Sequence, residues 1–214
     1  MPHPETVAAL RRSPVADLIR ARRLIAILRR VQPRERLLDL VASLADDGVA
    51  LFEVTFDAPA AADDLDAVRE RLAAGGHGHA VVGAGTILGE ERLEAALRCG
   101  AAFVVAPTLD RSLLHAAIGR GVPVIPGAYS PTEIAAAWSA GATFVKLFPA
   151  SSLGPAHVRE LRGPLPDIEL IATGGVDAAS AGAFLSAGCV AVGIGGALVN
   201  ASPAERAAIL EAVT

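Results

Sequence analysis

The sequence predicts an α/β fold: a (β/α)8 TIM barrel with an N-terminal helix, 1–214 forming a single domain. Three observations carry this. Apolar runs of strand length alternate with helical segments eight times within 214 residues. The runs are continuous rather than alternating, as in parallel strands covered on both faces. A glycine also follows a helix and precedes the next apolar run at Gly48, Gly100, Gly121, Gly141 and Gly188, the position where a helix closes in the left-handed conformation. A doubly wound open sheet is the alternative. It usually has fewer strands, and no G-x-G-x-x-G follows the first one.

The elements follow in order. Residues 4–23 read as a helix with Val7, Leu10, Val15, Leu18 and Ile19 apolar and a break at Pro14. The first strand is LIAIL, residues 24–28, ending at Arg29 and Arg30. Residues 33–47 carry Leu37, Leu38, Val41 and Leu44 at helical spacing, and 50–56 form a strand with Glu53 at its middle. A helix over 59–74 leads to a short strand, 80–82, that runs into a Gly83-Ala-Gly-Thr86 turn. Helix and strand then alternate: 90–99 and 102–106, 111–120 and 122–125, 131–140 and 143–148, 155–162 and 168–172, 178–187 and 190–194. A helix over 203–213 closes the chain.

Composition narrows the function. At 52% hydrophobic and 20% charged the chain is globular. A net charge of −4 gives no basic footprint for nucleic acid or an anionic membrane surface. No apolar run is long enough to span a bilayer, and the first residues, MPHPETVAALRRSP, lack the apolar core of a secretory signal. Cys99 and Cys189 read as buried free thiols, so a cytoplasmic location is expected.

Lys146 is the only lysine, and all the other basic residues among the 19 are arginine. It lies in the apolar run ATFVKLFP. Burial there favours the neutral amine, the form that attacks a carbonyl; the competing reading is a lysine that snorkels from a strand end. Glu53 is the second ionisable group inside a strand. The pair reads either as a buried ion pair or as an amine nucleophile with a carboxyl proton shuttle.

In this fold the site forms at the C-terminal ends of the strands. Those ends supply Arg29, Glu53 with Thr55 and Asp57, Thr86, Pro107, Pro126-Gly127, Lys146, Thr173-Gly174-Gly175 and Gly193 to Gly196. Arg29 as a fork and Thr86 as a single donor suit a substrate carboxylate. The glycine clusters at 174–175 and 195–196 offer backbone N–H groups to a phosphate, although tight turns alone also require glycine. His77 and His79 lie at the opposite end of a strand, and no metal site is expected.

Glu53-Val-Thr, Gly83-Ala-Gly-Thr-Ile, Pro126-Gly, Phe144-Val-Lys-Leu-Phe-Pro-Ala and Thr173-Gly-Gly-Val resemble, in this order from about Leu24 to Val199, the class I aldolases for 2-keto-3-deoxy-6-phosphogluconate and 4-hydroxy-2-oxoglutarate. Residues 24–29 and 148–155 look closest to the 2-dehydro-3-deoxy-6-phosphogalactonate branch. The resemblance implies cleavage of a 2-oxo acid to pyruvate and an aldehyde, either glyceraldehyde 3-phosphate or glyoxylate. It implies a Schiff base on Lys146, acid/base catalysis by Glu53, a carboxylate held by Arg29 and Thr86, and Phe148 packed by the lysine. Substrate contacts at Pro107, Thr173, Gly174, Gly175, Gly195 and Gly196 follow from the same likeness. It further implies no metal or organic cofactor, and a cytoplasmic homotrimer.

Two departures from the family pattern stand out. Asp57 occupies a position where the phosphogluconate branch has arginine, which predicts repulsion of substrate anions. Gly196-Ala197 provides no hydroxyl for phosphate where a serine is usual. A phosphate-binding isomerase or synthase on the same fold, and a non-catalytic oxo-acid binder, are the competing functions.

Overall fold

The computed structural model describes residues 2–214. Nine parallel strands form one sheet: β1 Leu24–Leu28, β2 Leu51–Thr55, β3 Val81–Gly85, β4 Val104–Val105, β5 Val124–Ile125, β6 Gly127–Ala128, β7 Val145–Leu147, β8 Leu170–Thr173 and β9 Ala191–Ile194. Their spatial order is β5-β4-β3-β2-β1-β9-β8-β7-β6. The end members β5 and β6 are separated in the chain only by Pro126, so they are two halves of one strand and the ring closes through it. Proline has no N–H for a ladder, but its carbonyl still accepts from the Lys146 N–H at 2.9 Å. This is the eight-stranded barrel read from the sequence, with its fifth strand divided.

The long N-terminal helix is two helices, α1 Pro4–Arg11 and α2 Pro14–Arg22. The break falls where Ser13 caps α2 by accepting from the Ala16 N–H, with Pro14 at the first helical position. The outer helices are α3 Arg34–Asp46, α4 Ala61–Ala74, α5 Glu90–Arg98, α6 Arg111–Gly119, α7 Pro131–Ser139, α8 Gly154–Arg162, α9 Ala178–Ser186, the one-turn α10 Gly196–Val199, and α11 Pro203–Val213. The five glycines read as helix stops have φ between 73° and 115°, the left-handed region.

Two apolar layers result. Leu37, Val41, Leu65, Leu93, Leu114, Ile134, Val158 and Phe184 belong to the layer between helices and sheet. Inside the barrel, Ile25, Leu51, Phe103, Val105, Ile125, Phe144, Ile171 and Ala191 meet Ala16 and Ile19 of α2, which plugs the N-terminal end. Arg20 on the plug makes a two-pronged contact with Glu169 at 2.7 Å, which keeps its guanidinium paired.

One local expectation is corrected. Gly83 and Gly85 lie within β3 rather than in a turn after it. They are glycines because neighbouring side chains fill the space a Cβ would take. A Cβ on Gly83 would lie 2.5 Å from the Phe103 ring, and one on Gly85 would lie 1.8 Å from Glu53 Oε1.

Candidate active site

The period of two along each strand carries the interior one step upward. On β7, Phe144 belongs to the plugged layer and Lys146 lies two residues on; on β2, Leu51 is followed in the same way by Glu53. Lys146 is 5% exposed and Glu53 2%. Burial is the largest influence on both. It pushes the Lys146 ammonium below its ordinary value and the Glu53 carboxyl above the usual carboxylate range. Each charge opposes the other's shift through space, and burial wins in both. Arg29 adds a third charge that depresses both groups. Glu53 Oε1 has no hydrogen-bond partner among the described residues. Burial therefore shifts each group toward its uncharged form.

Lys146 lines a cavity of about 460 Å³ with Ile27, Arg29, Phe148, Thr173 and the loops following β8 and β9; Glu53 and Thr86 are not among its lining residues. Lys146 Nζ stands 4.8 Å from the centre of the Phe148 ring. Gly174 leaves room for that ring, since a Cβ there would lie 3.0 Å from it. Gly193 does the same for the Thr173 hydroxyl at 2.7 Å. Gly174, Gly175, Gly195 and Gly196 line the far end with Val176, Asp177 and Ala197. Asp177 caps α9 through Ser180, whose N–H and hydroxyl hold its carboxyl below the usual range.

At the near end, Arg29 donates to Thr86 Oγ1 at 3.2 Å and to Asp57 Oδ2 at 3.4 Å. Thr86 has a left-handed φ of 57°, and its carbonyl accepts from Arg92 at 3.1 Å. Asp57 is not the free anion that the sequence suggests. Its Oδ2 also pairs with Arg30 at 3.1 Å, its carbonyl accepts from Arg30 at 2.9 Å, and its Oδ1 accepts from the Thr55 hydroxyl at 2.7 Å. Pro107 is not among the residues lining this cavity; its carbonyl packs instead against Gly127, where a Cβ would stand 2.1 Å away. Ile27 and Asp177 line the cavity although the sequence did not single them out. Ile27 could have been found from its even spacing along β1.

His77 and His79 lie before β3, where His77 meets Asp46 at 3.0 Å. Among the described residues no three His, Cys, Asp or Glu side chains gather as a metal site would require. A larger groove of about 560 Å³ lies between α1 and the end of α7, lined by Val7, Arg11 and Trp138. It holds neither the lysine nor a carboxylate.

A model of the KDPG and KHG aldolases matches residues 15–212. The chain belongs to this family. It is 34% identical over 187 residues to the 2-dehydro-3-deoxy-6-phosphogalactonate aldolase of Escherichia coli (strain K12), covering 86% of this chain and 89% of that protein. A solved structure of native KDPGal superposes with a TM-score of 0.78 at 32% identity, over 88% of this chain and 93% of that one. A 4-hydroxy-2-oxoglutarate and phosphogluconate aldolase from TTHB1 does so with a TM-score of 0.78 at 30% identity, over 94% and 95%. The fold and the aldehyde-lyase class read from the sequence agree with the family. No helix among the described residues is long and apolar enough to cross a membrane.

Proposed function

We propose that the chain is a Schiff-base aldolase that cleaves a 2-keto-3-deoxy-6-phospho sugar acid of gluconate or galactonate type to pyruvate and glyceraldehyde 3-phosphate. The observation that carries this is Lys146 lining the cavity with the buried Glu53 acting on it through space, each shifted by burial toward its uncharged form. The neutral amine adds to the C2 carbonyl. The Glu53 carboxyl protonates the carbinolamine hydroxyl, water leaves, and an iminium forms. Glu53, now ionised, takes the C4 hydroxyl proton as the C3–C4 bond breaks, and the bonding pair flows into the iminium as an enamine. The aldehyde departs. Glu53 returns the proton to C3, and water releases pyruvate from Lys146.

Arg29 and Thr86 are suited to the carboxylate, Phe148 packs the lysine, and the N–H groups around Gly174, Gly175, Gly195 and Gly196, with Thr173, are suited to the far end of the substrate. The iminium is itself the electron sink, so this cycle calls on no metal or organic cofactor. We further propose a homotrimer in the cytoplasm. Leu88 and Tyr129, 55% and 45% exposed, are apolar surface that assembly would cover. The free thiols Cys99 and Cys189 suit a reducing compartment.

Borohydride reduction with pyruvate, followed by peptide mass spectrometry, tests the imine: a pyruvyl adduct at Lys146 is expected, and its absence at saturating pyruvate would sink the reading. A second reading is 4-hydroxy-2-oxoglutarate cleaved to pyruvate and glyoxylate, a shorter substrate with no phosphate to seat at the far end of the cavity. Its lining there holds the Asp177 carboxylate, no cation, and no hydroxyl at Gly196-Ala197. Comparing kcat/KM for the two substrates separates them.

A further inference from the structure

We propose that Asp57 is a positioning residue that presents the Arg29 guanidinium to the substrate carboxylate. Asp57 binds no substrate itself in this arrangement. The proposal rests on the aldolase reading of Lys146 and concerns a carboxylate that lies outside the cavity lining but against Arg29, which lines it.

The argument is geometric. The Arg29 side chain is 52% exposed and that of Asp57 only 13%. A half-exposed arginine on a strand end loses substantial rotamer freedom if it must hold one pose. Here two contacts limit it, one to Thr86 and one to Asp57. Asp57 can serve as an anchor because it is anchored itself. The Thr55 hydroxyl, on a strand residue 3% exposed, donates to its Oδ1, which leaves Oδ2 directed to the arginines. Arg30 completes the arrangement from the far side, bonded to both the carboxylate and the carbonyl of Asp57. The backbone of Arg30 has a left-handed φ of 48°, so two consecutive arginines reach the same aspartate. The cluster therefore holds two cations and one anion and keeps a net positive charge. The anion spends part of its field on Arg30, and Arg29 retains donors for a carboxylate.

This account and simple repulsion predict opposite signs. If Asp57 only repels anions, Asp57→Ala tightens pyruvate. If it positions Arg29, Asp57→Ala loosens pyruvate and does so only while Arg29 is present. The measurement is borohydride trapping of wild type, Asp57→Ala, Arg29→Ala and the double variant across a pyruvate series, read as half-saturating pyruvate and saturated trapping rate.

The expected result is a rise of about five- to tenfold in half-saturation for Asp57→Ala, against less than about twofold for the same change in the Arg29→Ala background. The saturated rate of Asp57→Ala should stay within about twofold of wild type, which separates loosened binding from a damaged site. Asp57→Asn, which keeps the shape and the Thr55 hydrogen bond, should move in the same direction by less. A fall in half-saturation, or equal rises in both backgrounds, overturns the proposal while leaving the aldolase reading intact. Failure of the wild type itself to form the adduct overturns both.

Discussion

The two halves of the barrel interior are built on the same strands and differ in what they do. Toward the N-terminal end, Phe144, Leu51, Phe103 and Ile171 close against the apolar face of the α2 plug, whose Arg20 guanidinium lies 5.1 Å from the centre of the Phe144 ring. Two residues further along β7 and β2, the inward positions hold Lys146 and Glu53 instead. Strand geometry treats both layers alike, because side chains alternate regardless of chemistry. Volume is what separates them. The lower layer is filled by large apolar side chains, whereas the upper one is emptied by Gly85, Gly193 and Gly195, whose missing side chains admit Glu53, Thr173 and a cavity. A packed floor beneath a hollow, ionisable upper layer means that stability and chemistry are separable in this interior.

The strongest way to break the comparison is at Lys146. Lys146→Met should lower aldol turnover by at least about 10³-fold, as expected for loss of a covalent nucleophile. The melting temperature should hold or rise, since a buried amine gives way to an apolar chain of similar length. A coupled fall in both would show the two layers to be one cooperative unit.

Next in size is Glu53→Gln, which should cost about 10²- to 10⁴-fold in turnover through loss of proton transfer. Gly85→Ala should approach it without touching the carboxyl chemically, because the new methyl would occupy the place of Glu53 Oε1. Turnover kinetics on both variants check this; a Gly85→Ala chain with normal activity would show that Glu53 does not need its present position.

The floor responds in the opposite manner. Phe144→Ala should destabilise by about 3–5 kcal/mol in denaturant unfolding, with the pyruvyl adduct still forming on the folded fraction. Loss of the adduct at full folding would mean that the floor positions the lysine directly.

The smallest effect sharpens the electrostatic side of the comparison. Glu53 is raised in the folded state, so the folded chain binds more protons than the unfolded one above the ordinary carboxylate value of 4.5. Its contribution to stability is present below 4.5 and is lost as pH rises toward the folded value. Lys146 is lowered, so its contribution runs the other way and recovers as pH climbs from its folded value toward 10.5. Thermal melts of wild type and Glu53→Gln should therefore diverge, with the variant gaining relative to wild type as pH increases above 4.5. Parallel curves would place Glu53 in a wetter setting than its burial indicates.

The sequence exposed what depends on local pattern and hid what depends on register. The five C′ glycines, the apolar runs and the two charges inside strands are statements about a residue and its chain neighbours, and each could be read directly. Gly83 and Gly85 could not, because the Phe103 ring and the Glu53 carboxyl that require them come from adjacent strands. Pro126 divides a strand for a similar reason: its meaning depends on β4 and β7 lying to either side. Asp57 is the sharpest case. Read in one dimension it is a misplaced negative charge; in three it is paired with Arg29 and Arg30 and held by Thr55. Pairing across 27 and 28 residues leaves no local signature.

A chain with a single ε-amine, and that amine only 5% exposed, has an unusual relation to the reagents of protein chemistry. Acylating dyes and bifunctional succinimidyl linkers, which decorate most proteins indiscriminately, would find no lysine on the outer surface here. Apart from the chain terminus, their one amine target lies inside the cavity. Such a reagent becomes an active-site titrant, with its modification rate a gauge of how readily the cavity admits a guest of a given size.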